Sequence, residues 1–275
     1  IARNGDTANK VGTRMLAAGY AVVQATFRTY EQEVQSRGPI EDVRAVVHAL
    51  AKAPDVDAHR IAVFGGSGGG SIALELGGDP AVRAIVAGEP ATVLYTGMLT
   101  TADYGPRLEI MAQPEKFFTP KLRERTRKKL RMVRAPVLIL HGDRHDLHKL
   151  NAPLFVPMMK EAGVMVEYRE YAGYGHGFYF GGGDDRWGKG ADDRVVADVL
   201  RDVRAFLDRS MPAAESPAVF QPLDANGDGM PSREKRQPAP PQAGERLTPL
   251  DRHRLCLVRD EALKRLDAKG VAKLV

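Results

Sequence analysis

Residues 60–70 read Arg60-Ile61-Ala62-Val63-Phe64-Gly65-Gly66-Ser67-Gly68-Gly69-Gly70, an apolar β-branched run that passes through a glycine cluster into the helical pattern Ile72–Leu76. A strand that turns into a helix around a single serine is the G-x-S-x-G arrangement in the context it requires. Glycines are demanded because side chains on either side of the serine would collide with neighbouring backbone. The turn holds the Ser67 hydroxyl out at the carboxyl end of the sheet, which makes it a candidate nucleophile. The N–H of Gly68, at the helix start, is the candidate oxyanion donor. The competing reading is a phosphate loop, and it is weakened because no Lys-Ser/Thr pair follows the glycines.

Outward from this turn the chain alternates short apolar runs with helical-period segments, from Gly19 to about Leu207. That rhythm predicts βαβ units around a mainly parallel sheet. Strands are expected at Tyr20–Phe27, Arg60–Phe64, Arg83–Ala87, Pro136–Leu140 and Met165–Tyr171, and helices at Ile40–Ala51, near 150–162 and near 191–208. Continuous apolar runs of this length suit strands buried on both faces. Residues 92–133 break the rhythm and are expected to form a lid or inserted helical excursion. Its basic end, Lys121–Arg134, reads first as the solvated face of an amphipathic helix and second as a patch for an anionic partner.

The chain has 275 residues, 28 Gly, 18 Pro, 43% apolar and 27% charged residues, a profile that excludes a wholly disordered chain, a collagen and a coiled coil. A formal charge of +5 does not call for nucleic acid as a partner. The single cysteine, Cys256, excludes an internal disulfide, and no Cys/His spacing fits a zinc site. No apolar run approaches the roughly 18–20 residues of a membrane-spanning helix. Nothing in the sequence fixes the oligomeric state.

A serine nucleophile needs a base, and the base needs an orienting carboxylate. In the strand–turn–helix context the chain order is serine, acid, histidine. After the run Pro136–Leu140 comes His141-Gly142-Asp143-Arg144-His145-Asp146, where two acids compete. After the run Met165–Tyr171 comes Gly173-Tyr174-Gly175-His176-Gly177-Phe178, a glycine-flanked loop able to bring His176 over Ser67. His141, His145 and His148 read as structural or exposed loop groups.

With these three segments in order, the chain resembles the α/β-hydrolase superfamily, most of all its prolyl oligopeptidase-type and dienelactone-hydrolase-type branches. The resemblance covers about Gly19–Leu207 and implies an α/β-hydrolase fold, a mainly parallel sheet flanked by helices, over residues 1–210. It implies Ser67 as nucleophile and His176 as general base. From the family's HG-x-x-D acid loop it implies Asp146 as the acid, with Asp143 secondary. The activity implied is acyl transfer on a small peptide or ester with no cofactor for catalysis; a peptidase and a carboxylesterase share all three residues. Gly66, Glu89 and Tyr174 are candidates for lining the substrate. In such families further strands, and the second oxyanion donor, precede the equivalent of Tyr20–Phe27, so the fold is expected to lack its amino-terminal strands.

Residues 211–275 are expected to be a Pro-rich linker and a helical tail. Within it, residues 224–235 resemble the first half of an EF-hand calcium loop, with Asp224, Asn226, Asp228 and Ser232 as candidate Ca²⁺ ligands. Lys235 stands where a bidentate Glu belongs, which makes the site weak. A non-catalytic, Ca²⁺-dependent binding module is the rival reading from another class. By analogy, calcium loops beside a hydrolase point to export from a bacterial cell.

Overall fold

The computed structural model describes residues 10–25, 37–99, 105–181 and 190–212. The chain divides into two compact units, one of residues 1–11 and 27–215, the other of residues 12–26 and 216–275. Helix α1 (Lys10–Ala17), whose residues from Gly12 on lie in the second unit, is followed by Gly19, whose φ of +94° turns the chain. Residues 20–25 form no strand, a departure from the expected strand Tyr20–Phe27, and leave Val22 and Val23 37% and 38% exposed. A β-branched run realises its strand preference only against a paired neighbour, and sequence periodicity cannot supply one.

The first unit is built on four parallel strands, β1 (Ala62–Gly66), β2 (Ala84–Gly88), β3 (Val137–Gly142) and β4 (Val166–Tyr171), in the order β1-β2-β3-β4. Every residue of β2 and β3 is buried, as their uninterrupted apolar sequences require. At the edge, β4 alternates outward charges, and Glu167 bonds Arg169 and Arg209. The registers carry pairing into glycine, with Gly65 opposite Ala87 and Gly66 opposite Gly88. All four strands therefore end at one edge, where their following loops converge.

Helices α2 (Arg37–Leu50), α3 (Gly68–Glu75), α4 (Thr92–Thr96), α5 (Arg107–Ala112), α6 (Pro114–Phe117) and α7 (Pro120–Leu130) precede β3; α8 (His148–Leu150), α9 (Val156–Glu161) and α10 (Asp193–Ser210) follow it. The basic segment is α7, capped by Thr119 accepting from Leu122 N–H. Thr126 and Leu130 face inward, while Lys128 stays 72% exposed. This is the amphipathic-helix reading of that stretch. Helix α10 buries Val195, Val196, Val199, Leu200, Val203, Phe206 and Leu207, a stripe at helical spacing, and is capped by Asp192 accepting from Val195 N–H at 2.8 Å.

Between α8 and α9 the chain widens into a π-helical turn, Asn151–Phe155, that contains Pro153. Proline offers no N–H and clashes with the carbonyl four residues back, and widening the turn relieves both. The turn also swings Asn151 fully inward, where its Nδ2 donates to the Pro90 carbonyl at 3.0 Å and lies 3.0 Å from His141 Nε2. The candidate calcium ligands Asp224, Asn226, Asp228 and Ser232, and the tail that holds them, lie outside the described residues. Among the described residues no cluster of three or more His, Cys, Asp or Glu could hold a metal, and no helix is long and apolar enough to cross a membrane.

Candidate active site

Ser67 follows directly on β1 with φ 53° and ψ −120°, a conformation that an L-residue adopts only under constraint. Its neighbours impose that constraint. The Ser67 N–H donates to the Gly88 carbonyl at 2.9 Å, and the Ser67 carbonyl accepts from Ala91 N–H at 2.8 Å and Gly70 N–H at 3.0 Å. A Cβ on Gly65 would fall onto the Gly69 carbonyl, and one on Gly70 would stand 2.9 Å from Pro90 Cα. At Gly69 a Cβ would meet nothing within 4 Å, so the steric demand after the serine falls one residue later than the motif suggests. The N–H of Gly68 opens α3 and has no carbonyl four residues behind it in the helix, which leaves it available to a developing oxyanion.

Gly66, a candidate for lining the substrate, packs against aromatic rings. The space a side chain would fill there is taken by the rings of Tyr179 and Phe180, on the short 3₁₀ turn Phe178–Phe180, and Tyr179 fills the space beside Gly88 as well. The two glycines thus seat the segment that follows His176 against the elbow. Tyr174 is likewise engaged in structure. Its hydroxyl donates to the Asp192 carboxylate at 3.0 Å and so ties the His loop to the start of α10.

The candidate acids separate sharply. Asp146 is 45% exposed and pairs with Lys149 Nζ at 2.9 Å. Counted from His141, the HG-x-x-D spacing ends on His145, one residue before Asp146. His145 itself is buried and stacks on His176 with ring centroids 4.4 Å apart and planes 25° from parallel. Asp143 accepts from the Gly173 N–H at 2.7 Å, at the base of the His loop.

The carboxylate that meets His176 is Glu89, one residue past β2. Its Oε2 lies 2.8 Å from His176 Nδ1 and accepts from Gly177 N–H at 3.2 Å, and its Oε1 accepts from Gly142 N–H at 3.1 Å. The Glu89 side chain is fully buried, whereas His176 keeps 20% exposure. The His176 Nδ1–Oε2 contact is short but off the line of an ideal hydrogen bond. The sequence alone makes Glu89 a candidate for lining the substrate. In sequence Glu89 stands out as a lone acid directly after a wholly apolar strand, Ala84-Ile85-Val86-Ala87-Gly88.

Burial governs the electrostatics. It pushes the Glu89 carboxyl above its ordinary range, opposed by His176 and by the Gly142 and Gly177 N–H groups. It pulls His141 down to about 3 and His145 down to about 4, so both rings are neutral near pH 7. With Nε2 facing the Asn151 amide, His141 carries its proton on Nδ1, 2.7 Å from the Gly142 carbonyl and 3.7 Å from Glu89 Oε1. Tyr179 is pushed up by burial and stays a neutral phenol.

A parallel sheet flanked by helices, with a strained serine at a strand–helix elbow and a histidine loop at the same edge, defines a serine hydrolase of the α/β-hydrolase fold. Residues 15–212 match the model of the prolyl oligopeptidase family, and the chain belongs to that family. The match stops short of the calcium-loop-like run. No curated protein matches. Among solved structures, an esterase from Pyrobaculum calidifontis is similar with a TM-score of 0.53 and 18% identity over 76% of this chain and 73% of its own. A puromycin-hydrolysing peptidase from Mycobacterium tuberculosis aligns with a TM-score of 0.44 and 19% identity over 64% of this chain and 25% of its own length. Dipeptidyl peptidase 4 of Porphyromonas gingivalis aligns with a TM-score of 0.44 and 22% identity, over 63% of this chain and 23% of its own.

Proposed function

We propose that the chain cleaves a peptide bond in a small peptide by acyl transfer through Ser67. The observation that carries this is the Ser67 backbone, held at φ 53° and ψ −120° by its bonds to Gly88 and Ala91. Ser67 Oγ attacks the carbonyl carbon while His176 takes the hydroxyl proton, and the oxyanion is met by the Gly68 N–H. His176 then returns the proton to the leaving amine as the C–N bond breaks, and an acyl-enzyme forms. Water, deprotonated by the same imidazole, attacks the acyl carbon and releases the acid with Ser67 restored. An amide is the bond the family match supports; an ester is the same chemistry with a better leaving group.

The test is a paired panel of peptidyl nitroanilides and p-nitrophenyl acetate or butyrate, run on the protein and on Ser67→Ala beside fluorophosphonate labelling. Amide cleavage and labelling that both vanish in Ser67→Ala support the reading. Ester turnover alone moves the substrate to carboxylic esters, and a folded protein that neither labels nor turns over defeats the acyl-transfer reading.

A further inference from the structure

We propose that Glu89 is the positioning acid of this site, holding His176 through Nδ1, and that the loop after β3, where Asp146 stands, supports the His loop without supplying that charge. The proposal rests on Ser67 as nucleophile and His176 as base.

Four observations converge on Glu89. The first is contact: the carboxylate is sealed from solvent and lies 2.8 Å from the imidazole nitrogen. The second is strain. Among the described residues, the non-glycine positions with positive φ are Ser67 at 53° and Glu89 at 40°. Such conformations are strained and persist where the surroundings hold them, typically at functional sites. Both strained turns belong to one bonded unit, since Ser67 N–H binds the carbonyl of Gly88, the residue before Glu89, and Ser71 Oγ donates to Ala91 O at 2.6 Å. The acid is therefore fixed in register with the nucleophile on the adjacent strand.

The third is an absence of any structural counter-ion. The ionisable groups that interact with Glu89 are His141 and Tyr168, from β3 and β4, and His176 and Tyr179, from the His loop and the turn after it, and no lysine or arginine among the described residues pairs with it. A buried carboxylate is costly to the fold when uncompensated. Accepting from Gly142 and Gly177 needs only a carbonyl-type oxygen, which a neutral amide offers equally. Stabilising an imidazolium as Ser67 gives up its proton needs the negative charge. The fourth is that the alternatives are occupied: Asp146 pairs with Lys149 at the surface, and the neutral His145 braces the face of the His176 ring by stacking.

The test compares the protein with Glu89→Gln, Glu89→Asp and Asp146→Asn, reading kcat/KM against pH, fluorophosphonate labelling and circular dichroism. Glu89→Gln is expected to lower kcat/KM roughly 10²- to 10⁴-fold, as loss of a triad acid does elsewhere. Removing the neighbouring charge disfavours the protonated imidazole, so the acidic limb of the profile moves to lower pH. A purely structural role would lower the plateau and leave the limb in place. Glu89→Asp keeps the charge and is expected to recover about tenfold or more over Gln with the limb restored. Should Glu89→Gln fail to fold, Glu89→Asp and Asp146→Asn still decide. A loss in Asp146→Asn as large as in either Glu89 variant, or full activity in Glu89→Gln, overturns the proposal while Ser67-dependent turnover stands. A wild type that neither labels nor turns over fails the functional reading instead.

Discussion

The loop after β2 and the loop after β3 leave the same edge of the sheet, and each carries acid within a few residues of its strand, yet the fold treats them oppositely. Glu89 is sealed beneath two backbone N–H groups and an imidazole, whereas Asp146 lies 45% exposed beside Lys149. An exposed pair of that kind contributes about 0–1 kcal/mol and fixes no geometry that chemistry could use. The β3 loop works through its backbone and its nearer residues: Gly142 donates to Glu89, Asp143 holds the Gly173 N–H, and His145 stacks on His176. What separates the two loops is burial and the donors aimed at each carboxylate, and a motif spacing reports neither.

The harshest way to break this division is at Gly142, where the two loops touch. A Cβ there would fall onto the Tyr174 carbonyl and stand 3.2 Å from Glu89 Oε1. Gly142→Ala must therefore push the His loop and Glu89 apart together. It is expected to lower kcat/KM about 10²-fold or more, because misplacing a catalytic group by an ångström has that consequence, and to lower stability by roughly 1–3 kcal/mol. Urea unfolding and steady-state rates check both. Full activity in Gly142→Ala would mean that the contact between Glu89 and the β3 strand end is incidental.

Asp143→Ala sharpens the same comparison from the other side. It removes the acceptor of the Gly173 N–H at 2.7 Å and leaves Glu89 untouched. Stability is expected to fall by about 1 kcal/mol and kcat/KM by about tenfold, through looser placement of His176. Since the carboxylate beside His176 survives, the acidic limb of the pH profile stays where it is. A limb that moves in Asp143→Ala would assign charge as well as support to the β3 loop.

How much of this was legible in the sequence follows from the same physics. The strands at Arg83–Ala87 and Pro136–Leu140 were readable within a residue or two because a strand buried on both faces must be written in apolar residues, and Met165–Tyr171, at the sheet edge, because β-branched and aromatic residues interleave with its charges. The strand at Arg60–Phe64 is displaced to Ala62–Gly66 because ladder bonds are made by backbone, so glycine continues the pairing that an apolar pattern abandons. The elbow was readable because its glycines are steric necessities at Gly65 and Gly70. Tyr20–Phe27 carries strand-forming residues, but residues 20–25 form no strand, since pairing is a tertiary fact. Glu89, Asp143 and Asp146 all follow strands at one edge. Choosing among them needs the inward turn at Asn151, the bond to Gly142 and the positive φ at Glu89, none of which is local to a motif.

The smallest expected effect is one of sign. Burial raises the folded-state pKa of Glu89 above its ordinary 4.5, so the fold favours the neutral acid. The stability this group contributes is fully present below the unfolded value and is lost as pH rises through the raised folded value. Activity runs the other way, because only the ionised carboxylate supports the protonated imidazole. The unfolding free energy of the wild type minus that of Glu89→Gln should therefore fall as pH rises through this window, while wild-type kcat/KM climbs. Asp79 titrates in the opposite sense: burial pulls it up, but the Ala81 N–H, His48 and Arg44 more than offset that and leave it lowered. Its contribution is common to both proteins and cancels in the difference. Urea titrations at half-unit pH steps read the slope. A difference that rises with pH would show that His176, Gly142 and Gly177 stabilise the ionised Glu89 more strongly than burial opposes it, and the site would then hold its charge at no cost to the fold.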